Sequence, residues 1–379
     1  MTIVLLVGGS LLARSLVEML DVDLGFQTTN RLAVALIQPF PQGENATNRL
    51  GAFQQAFEER ITALPGVVTV GGIDASPLSA RGGNGRFIIE DRGDSGNYWP
   101  NYRVSSPGYF RALGIPLLRG RLFDENDGAG APGVAVISES VANIIWPGED
   151  PIGHRIDRSN MDGVDQMMTI VGGVGDARYY GPDRDVRGET YFNFLQRPQR
   201  TARFTGVIQT TGDPAAIGPT AMTQVKELNP ELPIQVRTMD SMLYLMLSGR
   251  VFNLSLLGVL AGVALTLAVM GVYGLIAYTV AHRTADIGVR TALETRPGQV
   301  VSLFVRESAT LIGMGAVIGV LGAMATSRVL GSLLFEIDAT DPTAYGIGVL
   351  ALVVPAMLAG YVSSRRAAKI DPVRAIQAE

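Results

Sequence analysis

Between residues 251 and 281 the chain carries no charged side chain. An α-helix needs about 20 apolar residues to cross the hydrocarbon of a bilayer. The 31 uncharged positions here are enough for one span, with residues left over for tilt. The pattern recurs over 308–327 and 342–364. One such run would also suit a buried helix of a soluble domain. Three in succession within the last third of the chain read as membrane spans, on length alone. The positive mean hydropathy of +0.24 and the low charged fraction of 17% fit apolar residues gathered toward one end.

The loops between these runs set an orientation. The first connection carries Arg283, Arg290, Arg296 and Arg306, and the tail carries Arg365, Arg366, Lys369 and Arg374. The second connection carries Glu336, Asp338 and Asp341, with Arg328 at its start. Basic loops stay in the cytoplasm. The spans are therefore expected at about 253–279, 308–327 and 343–364, with residues 21–250 outside, in the periplasm.

The first 13 residues, MTIVLLVGGSLLA, are apolar and uncharged, and Arg14 follows. There is no basic region before them, as a signal peptide would have. Residues 1–20 are read as the outer part of a first transmembrane helix, truncated at its start, continuing into a stalk. A buried soluble helix is the alternative.

Residues 31–39 read as a strand. Residues 45–64 read as a helix, with Leu50, Phe53, Phe57, Ile61 and Leu64 at helical spacing, and 67–73 as a second strand. The arrangement returns at 202–211, at a helix opened by Asp213 and Pro214 and running to 228, and at 233–237. Two β-α-β units around an insertion suggest a split, ferredoxin-like α+β fold. The porter-like part is placed at 21–78 and 201–240, and a β-rich insertion at 79–200. Within the insertion, strands are expected at 86–89, 133–138 and 168–174, and helices at 107–113 and 139–145. Residues 238–250 are expected to form a stalk helix capped by Asp240 or Ser241, leading into a membrane domain at 251–379. The fold class is thus an α-helical membrane protein with four transmembrane helices and an inserted α+β periplasmic domain.

Few chemistries remain open. There is no cysteine, so disulfides and thiolate metal sites are excluded. The two lysines, Lys226 and Lys369, follow no glycine-rich loop, and no Walker A pattern occurs. There is no Gly-x-Ser-x-Gly elbow. The only histidines are His154 and His282, with no triad pattern around them. The acidic stretch 124–128 lacks calcium-loop spacing and reads as a solvated turn. No catalytic, cofactor-binding or metal residue is expected. A net charge of −4 gives no reason for nucleic-acid binding. The spans hold no ionisable group, which argues against ion-coupled transport.

Small residues stand out instead. Gly258 and Gly262, and Gly315 and Gly319, have the small-xxx-small spacing that lets helices approach closely, within one chain or across a dimer. Glycine is also simply common in spanning helices. The basic loop AHRTADIGVRTALETRPGQVVSLFVRES allows a short amphipathic helix over 284–293, with Ile287, Val289 and Ala292 as its less polar positions. Such a helix could dock a cytoplasmic partner or lie on the membrane surface.

The stretches ADIGVRTAL, SLLFEIDATDPTAY and RRAAKIDPVRAIQAE resemble the FtsX-like permease domain of MacB-type ABC transporters. The stretch SPGYFRALGIPLLRGRLFDENDGAGAPGVAVISESVANIIWPGEDPIGHRI is similar to the periplasmic core domain of the same permeases, in the form found in many copies in acidobacteria. The resemblance implies four transmembrane helices and a bacterial inner-membrane location. It implies a cytoplasmic ABC ATPase subunit as partner and a homodimer or a pairing with a related permease. A periplasmic adaptor is a further partner it allows. The ATPase-docking residues it implies are Asp286, Ile287, Gly288, Val289, Arg290, Ala292 and Leu293. Two departures stand in the loop: Asp286 replaces the family's glutamate, and Glu294-Thr295 replaces a Gly-Ala pair. The function implied is coupling of ATP hydrolysis to motion of periplasmic domains, for efflux or lipoprotein handling. The alternatives are an FtsX-like, non-transporting regulator of a periplasmic enzyme and an inactive truncated copy.

Overall fold

The computed structural model describes residues 1–38, 46–79, 82–90, 92–94, 96, 98–158, 166–282, 297–330, 335 and 337–367. These form two compact units: a sheet unit, Val22–Leu247, and a helical unit made of Met1–Asp21 and Ser248–Glu379.

The chain opens with α1 (Thr2–Asp21), β1 (Arg31–Ile37), α2 (Ala46–Thr62) and β2 (Val67–Ile73). The insertion then gives β3 (Gly83–Asn84), β4 (Ile88–Ile89), β5 (Gly93–Asp94), β6 (Asn101–Ser105) and α3 (Tyr109–Leu113). It continues with β7 (Leu117–Gly120), β8 (Val134–Ser138), α4 (Glu139–Ile145), β9 (Arg155–Asp157), β10 (Met168–Val174) and β11 (Glu189–Asn193). After a 3-10 turn come β12 (Arg203–Thr210), α5 (Pro214–Leu228), β13 (Ile234–Thr238), α6 (Met239–His282), α7 (Pro297–Leu330) and α8 (Pro342–Ala367).

The two β-α-β units form one sheet in the order β13-β1-β12-β2, antiparallel throughout. Counted along the two units alone, this is the 4-1-3-2 order of a ferredoxin-like fold, as the sequence pattern suggested. Alternation along β1 sends Leu32, Val34 and Leu36 to the face covered by α2 and α5. There they meet Phe57 and Ile61 from α2, Ala221 and Val225 from α5, and Phe204 and Ile208 from β12. The rings of Phe57 and Phe204 meet edge to face, with centroids 5.3 Å apart. Helix α5 starts where expected: the Asp213 carboxylate accepts from the Ala215 N–H at 2.9 Å, and Pro214 fills the first turn.

The same helix-covered face carries an anomaly. Gln54, on α2, is fully buried, and neither its Oε1 nor its Nε2 has a hydrogen-bond partner among the described residues. One turn on, burial pushes the Glu58 carboxyl up to about 7, while the Ser106 hydroxyl and the Gly72 N–H pull it back. Ser106 Oγ in turn accepts from that Gly72 N–H at 2.8 Å.

The insertion continues the sheet. A single pair, Ile73↔Ser105, joins β2 to β6, and the order continues β6-β11-β8-β10-β9-β4-β5. Strands β3 and β7 pair with β6 and β10. The helix expected at 139–145 and the strand at 168–174 lie where they were placed, and the helix expected at 107–113 is shorter, beginning at Tyr109. Two central strands, β6 and β11, were not expected. Each carries a charge near its middle or start, Arg103 or Glu189, and in a Gly- and Asn-rich stretch those charges read as loop. In the fold they cancel each other inside the sheet.

Arg103 Nε donates to Glu189 Oε2 at 2.7 Å, and Asn101 Nδ2 donates to Glu189 Oε1 at 2.7 Å. Both charged side chains are almost wholly removed from water, at 0% and 1% exposure. The Arg103 guanidinium also lies 4.2 Å from the centre of the Tyr179 ring. Burial pushes the Glu189 carboxyl up, and Arg103 and Asn101 pull it back.

The stalk region differs from expectation in its cap. Thr238 Oγ1 accepts from the Ser241 N–H at 3.2 Å, so the cap is Thr238 rather than Asp240 or Ser241. From there α6 runs unbroken for 44 residues, about 66 Å at 1.5 Å per residue.

Candidate functional site: the membrane helix bundle

Among the described residues four helices are long and apolar enough to cross a membrane: Thr2–Asp21, Met239–Thr279, Ala309–Ser327 and Pro342–Val362. The uncharged part of α1 ends at Ala13, but the helix continues through Arg14 to Asp21, 20 residues in all.

Helices α1 and α8 run antiparallel, since Val7 meets Gly348 while Arg14 meets Asp341. A Cβ at Gly348 would fall 2.7 Å from Val7 Cγ2 and 3.0 Å from its backbone nitrogen. A Cβ at Gly319 on α7 would fall 2.8 Å from Ile3 Cβ. Glycine at these two positions is what lets α1 lie against its neighbours. Ile3, Val7 and Leu11 from α1 are buried with Ala323, Ala344 and Tyr345 in one apolar cluster. Polar groups tie the same contacts. The Ser10 hydroxyl donates to the Ala344 carbonyl at 2.8 Å, and Ser15 Oγ accepts from the Phe335 N–H at 2.9 Å. Arg14 pairs with Asp341, whose other oxygen accepts from the Thr343 N–H at 2.9 Å and so caps α8.

The structure separates the four glycines singled out in the sequence. Gly319 is in tight contact with Ile3. Gly315, one turn earlier, has no atom within 4 Å of where a Cβ would stand, and it lines an apolar cavity of about 270 Å³ with Ile3, Ala268, Ile312 and Ala356. Gly258 and Gly262 on α6 likewise have nothing within 4 Å. Phe252, Leu256, Val259, Val263 and Leu267 on α6 are exposed, as are Val317, Ile318 and Leu321 on α7. That outer surface suits alkyl chains rather than water. Gly348 and the Arg14–Asp341 pair were not singled out. A signal did exist for the pair: each charge stands where its apolar run gives way, one just after 1–13 and one just before 342–364.

The docking candidates Asp286, Ile287, Gly288, Val289, Arg290, Ala292 and Leu293 lie outside the described residues. The acidic turn is not simply solvated. Asp127 is buried, its two oxygens accept from Arg121 at 2.6 and 2.9 Å, and one of them also takes the Asp124 N–H. Among the described residues no cluster of acidic or histidine side chains could hold a metal ion. His154 stacks on the Trp146 ring, with centroids 5.3 Å apart.

The chain matches the family described as MacB-like periplasmic core domain over residues 1–228, and that described as FtsX-like permease C-terminal over residues 258–372. The macrolide export ATP-binding/permease protein MacB of Marinobacter nauticus is 26% identical over 280 residues, covering 70% of this chain and 41% of that protein. The protein of the same name from Rhodospirillum rubrum is 27% identical, over 72% of this chain and 42% of its own length. The chain thus spans about two fifths of the length of these curated relatives. Among solved structures, the periplasmic region of MacB from Actinobacillus actinomycetemcomitans aligns with 59% of this chain and 95% of that one, at 14% identity and a TM-score of 0.41.

Proposed function

The chain belongs to the MacB/FtsX-type ABC transporter permease family, and from that membership we propose that it is the permease subunit of a MacB-type transporter in a bacterial inner membrane. In this reading a cytoplasmic ABC ATPase subunit docks on the loop around Asp286–Leu293. ATP binding and hydrolysis there move the sheet unit, which stands in the periplasm, for export or for lipoprotein handling. No Walker A pattern occurs in the sequence, so this reading assigns ATP hydrolysis to the ATPase subunit.

The observation that carries the proposal is α6. Met239 at its start is buried in the apolar core of the sheet unit, and the same helix holds the candidate span Met239–Thr279 and ends at His282, next to the basic loop. The open faces at Gly258 and Gly262 support pairing with a second copy or a related permease.

ATPase turnover in proteoliposomes tests the docking loop. The chain is expected to stimulate the ATPase that co-purifies with it. Ile287→Ala or Arg290→Ala is expected to lower that stimulation about tenfold, the effect of losing one interface anchor worth about 1.4 kcal/mol. If no ATPase associates, or if both variants stimulate like the parent, the docking assignment fails.

A further inference from the structure

The face of the ferredoxin-like sheet that α2 and α5 leave free is covered only in part: Ala33 and Val207 pack with Tyr109 and Phe110 of α3 and Met239 of α6, and a cleft stays open beside them. On this side β1 presents Ala33 and Ala35, the smallest side chains available to a strand. The register places Arg237 opposite Ala33, Thr205 and Gln235 on either side of Ala35, and Arg203 opposite Ile37. Residues directly opposite in an antiparallel ladder share a face, so Ala35 is flanked by Thr205 and Gln235, while Ala33 lies between buried Val207 and Arg237. The opposite wall comes from the first turns of α6, through Met242, Leu245 and Met246. The result is a cleft of about 540 Å³ within the sheet unit. That size is typical of a small-molecule site, and flexible methionine walls adapt to an unbranched apolar guest.

The charge in the cleft is one-sided. Arg203 and Arg237 are exposed at its rim, and neither has an acidic partner among the described residues. The one carboxylate lining it, Asp74, is already engaged: it accepts from the Val104 N–H at 3.1 Å and lies beside Arg103. Burial pushes the Asp74 carboxyl up, while Arg103 and the Val104 N–H pull it back, so its charge is met within the fold and not by the two rim arginines.

We infer that this cleft binds a single-chain anionic amphiphile, with its alkyl chain over the Ala35 floor beneath Met242 and Met246 and its acidic head at the rim, where Arg203 and Arg237 stand at the two ends of the floor. A two-chain lipid is too large for the volume. The inference rests on the cleft alone and does not depend on ATPase coupling.

The test uses the full chain in nanodiscs of zwitterionic lipid. Equilibrium dialysis against dodecanoate is compared with empty nanodiscs and with dodecyltrimethylammonium, which has the same chain but opposite charge. Saturable binding of one dodecanoate per chain is expected, at least tenfold weaker in the Arg203→Ala/Arg237→Ala double variant and lost in Ala35→Leu, which fills the floor. Both arginines are exposed, so the double variant keeps the test open if Ala35→Leu fails to fold. Binding no greater than to empty nanodiscs overturns the inference. So does dodecyltrimethylammonium binding as tightly as dodecanoate, or dodecanoate affinity unchanged in the double variant.

Discussion

Replacing Arg103 with alanine is expected to destabilise the sheet unit by about 3–5 kcal/mol, the usual cost of removing one partner of a buried ion pair. The reason lies in what remains behind. Glu189 would keep only the Asn101 amide as a donor, in a site from which water is excluded. Asp74, which lies beside the same guanidinium, would lose its compensating charge as well. The pair also sits where β6 meets β11, so the damage falls on two central strands of the insertion. Replacing both partners with apolar residues of similar volume, as in Arg103→Met/Glu189→Met, should cost less than Arg103→Ala alone, because Glu189 is then no longer stranded and only Asp74 loses the Arg103 charge. The two tryptophans of the chain, Trp99 and Trp146, both lie in the sheet unit, so urea unfolding followed by their fluorescence reports on that unit alone. A double variant less stable than Arg103→Ala would show that the ion pair itself, rather than the stranded charge, carries the energy.

Glu58→Gln is expected to act in the opposite direction, and increasingly so as pH rises from about 4.5 through 7. Burial holds the Glu58 carboxyl at about 7 in the folded chain, against 4.5 for an ordinary glutamate. The folded state thus binds a proton that the unfolded state has already released. Stability falls as pH rises from about 4.5 through 7, and the loss is complete above that range. Its size is on the order of 3 kcal/mol, at about 1.36 kcal/mol for each pH unit separating the two values. Glutamine keeps the shape and cannot ionise. It should match the parent near pH 4.5 and exceed it in urea midpoint at pH 8. A gap between parent and variant that stays the same at both pH values would remove Glu58 as the source.

What the sequence made legible follows from where the physics is local. The spans could be read because crossing a bilayer forbids charge over a fixed length, and 251–281 meets that condition without help from any other segment. The 4-1-3-2 sheet could be read because each β-α-β unit announces itself by periodicity and by caps such as Asp213. Strands β6 and β11 were hidden because Arg103 and Glu189 are acceptable inside only when they meet, and the two are 86 positions apart. Gly319 was noticed for its spacing with Gly315, yet its contact is with Ile3 on α1, and Gly348 makes the corresponding contact with Val7. Spacing along one helix shows that a close approach is possible. It does not say which helix arrives.

The most direct test of ATP-driven motion is a distance measured in the sheet unit during turnover. The chain contains no cysteine, so Glu125→Cys, at an exposed position of the acidic turn, supplies a single labelling site. Spin labels there would report the separation of two copies in a membrane-reconstituted complex with the ATPase. The proposal predicts different distance distributions with ATP and with ADP, and no such difference once Ile287 or Arg290 is replaced by alanine. The same distribution in both nucleotide states, in a complex that is hydrolysing ATP, would contradict it.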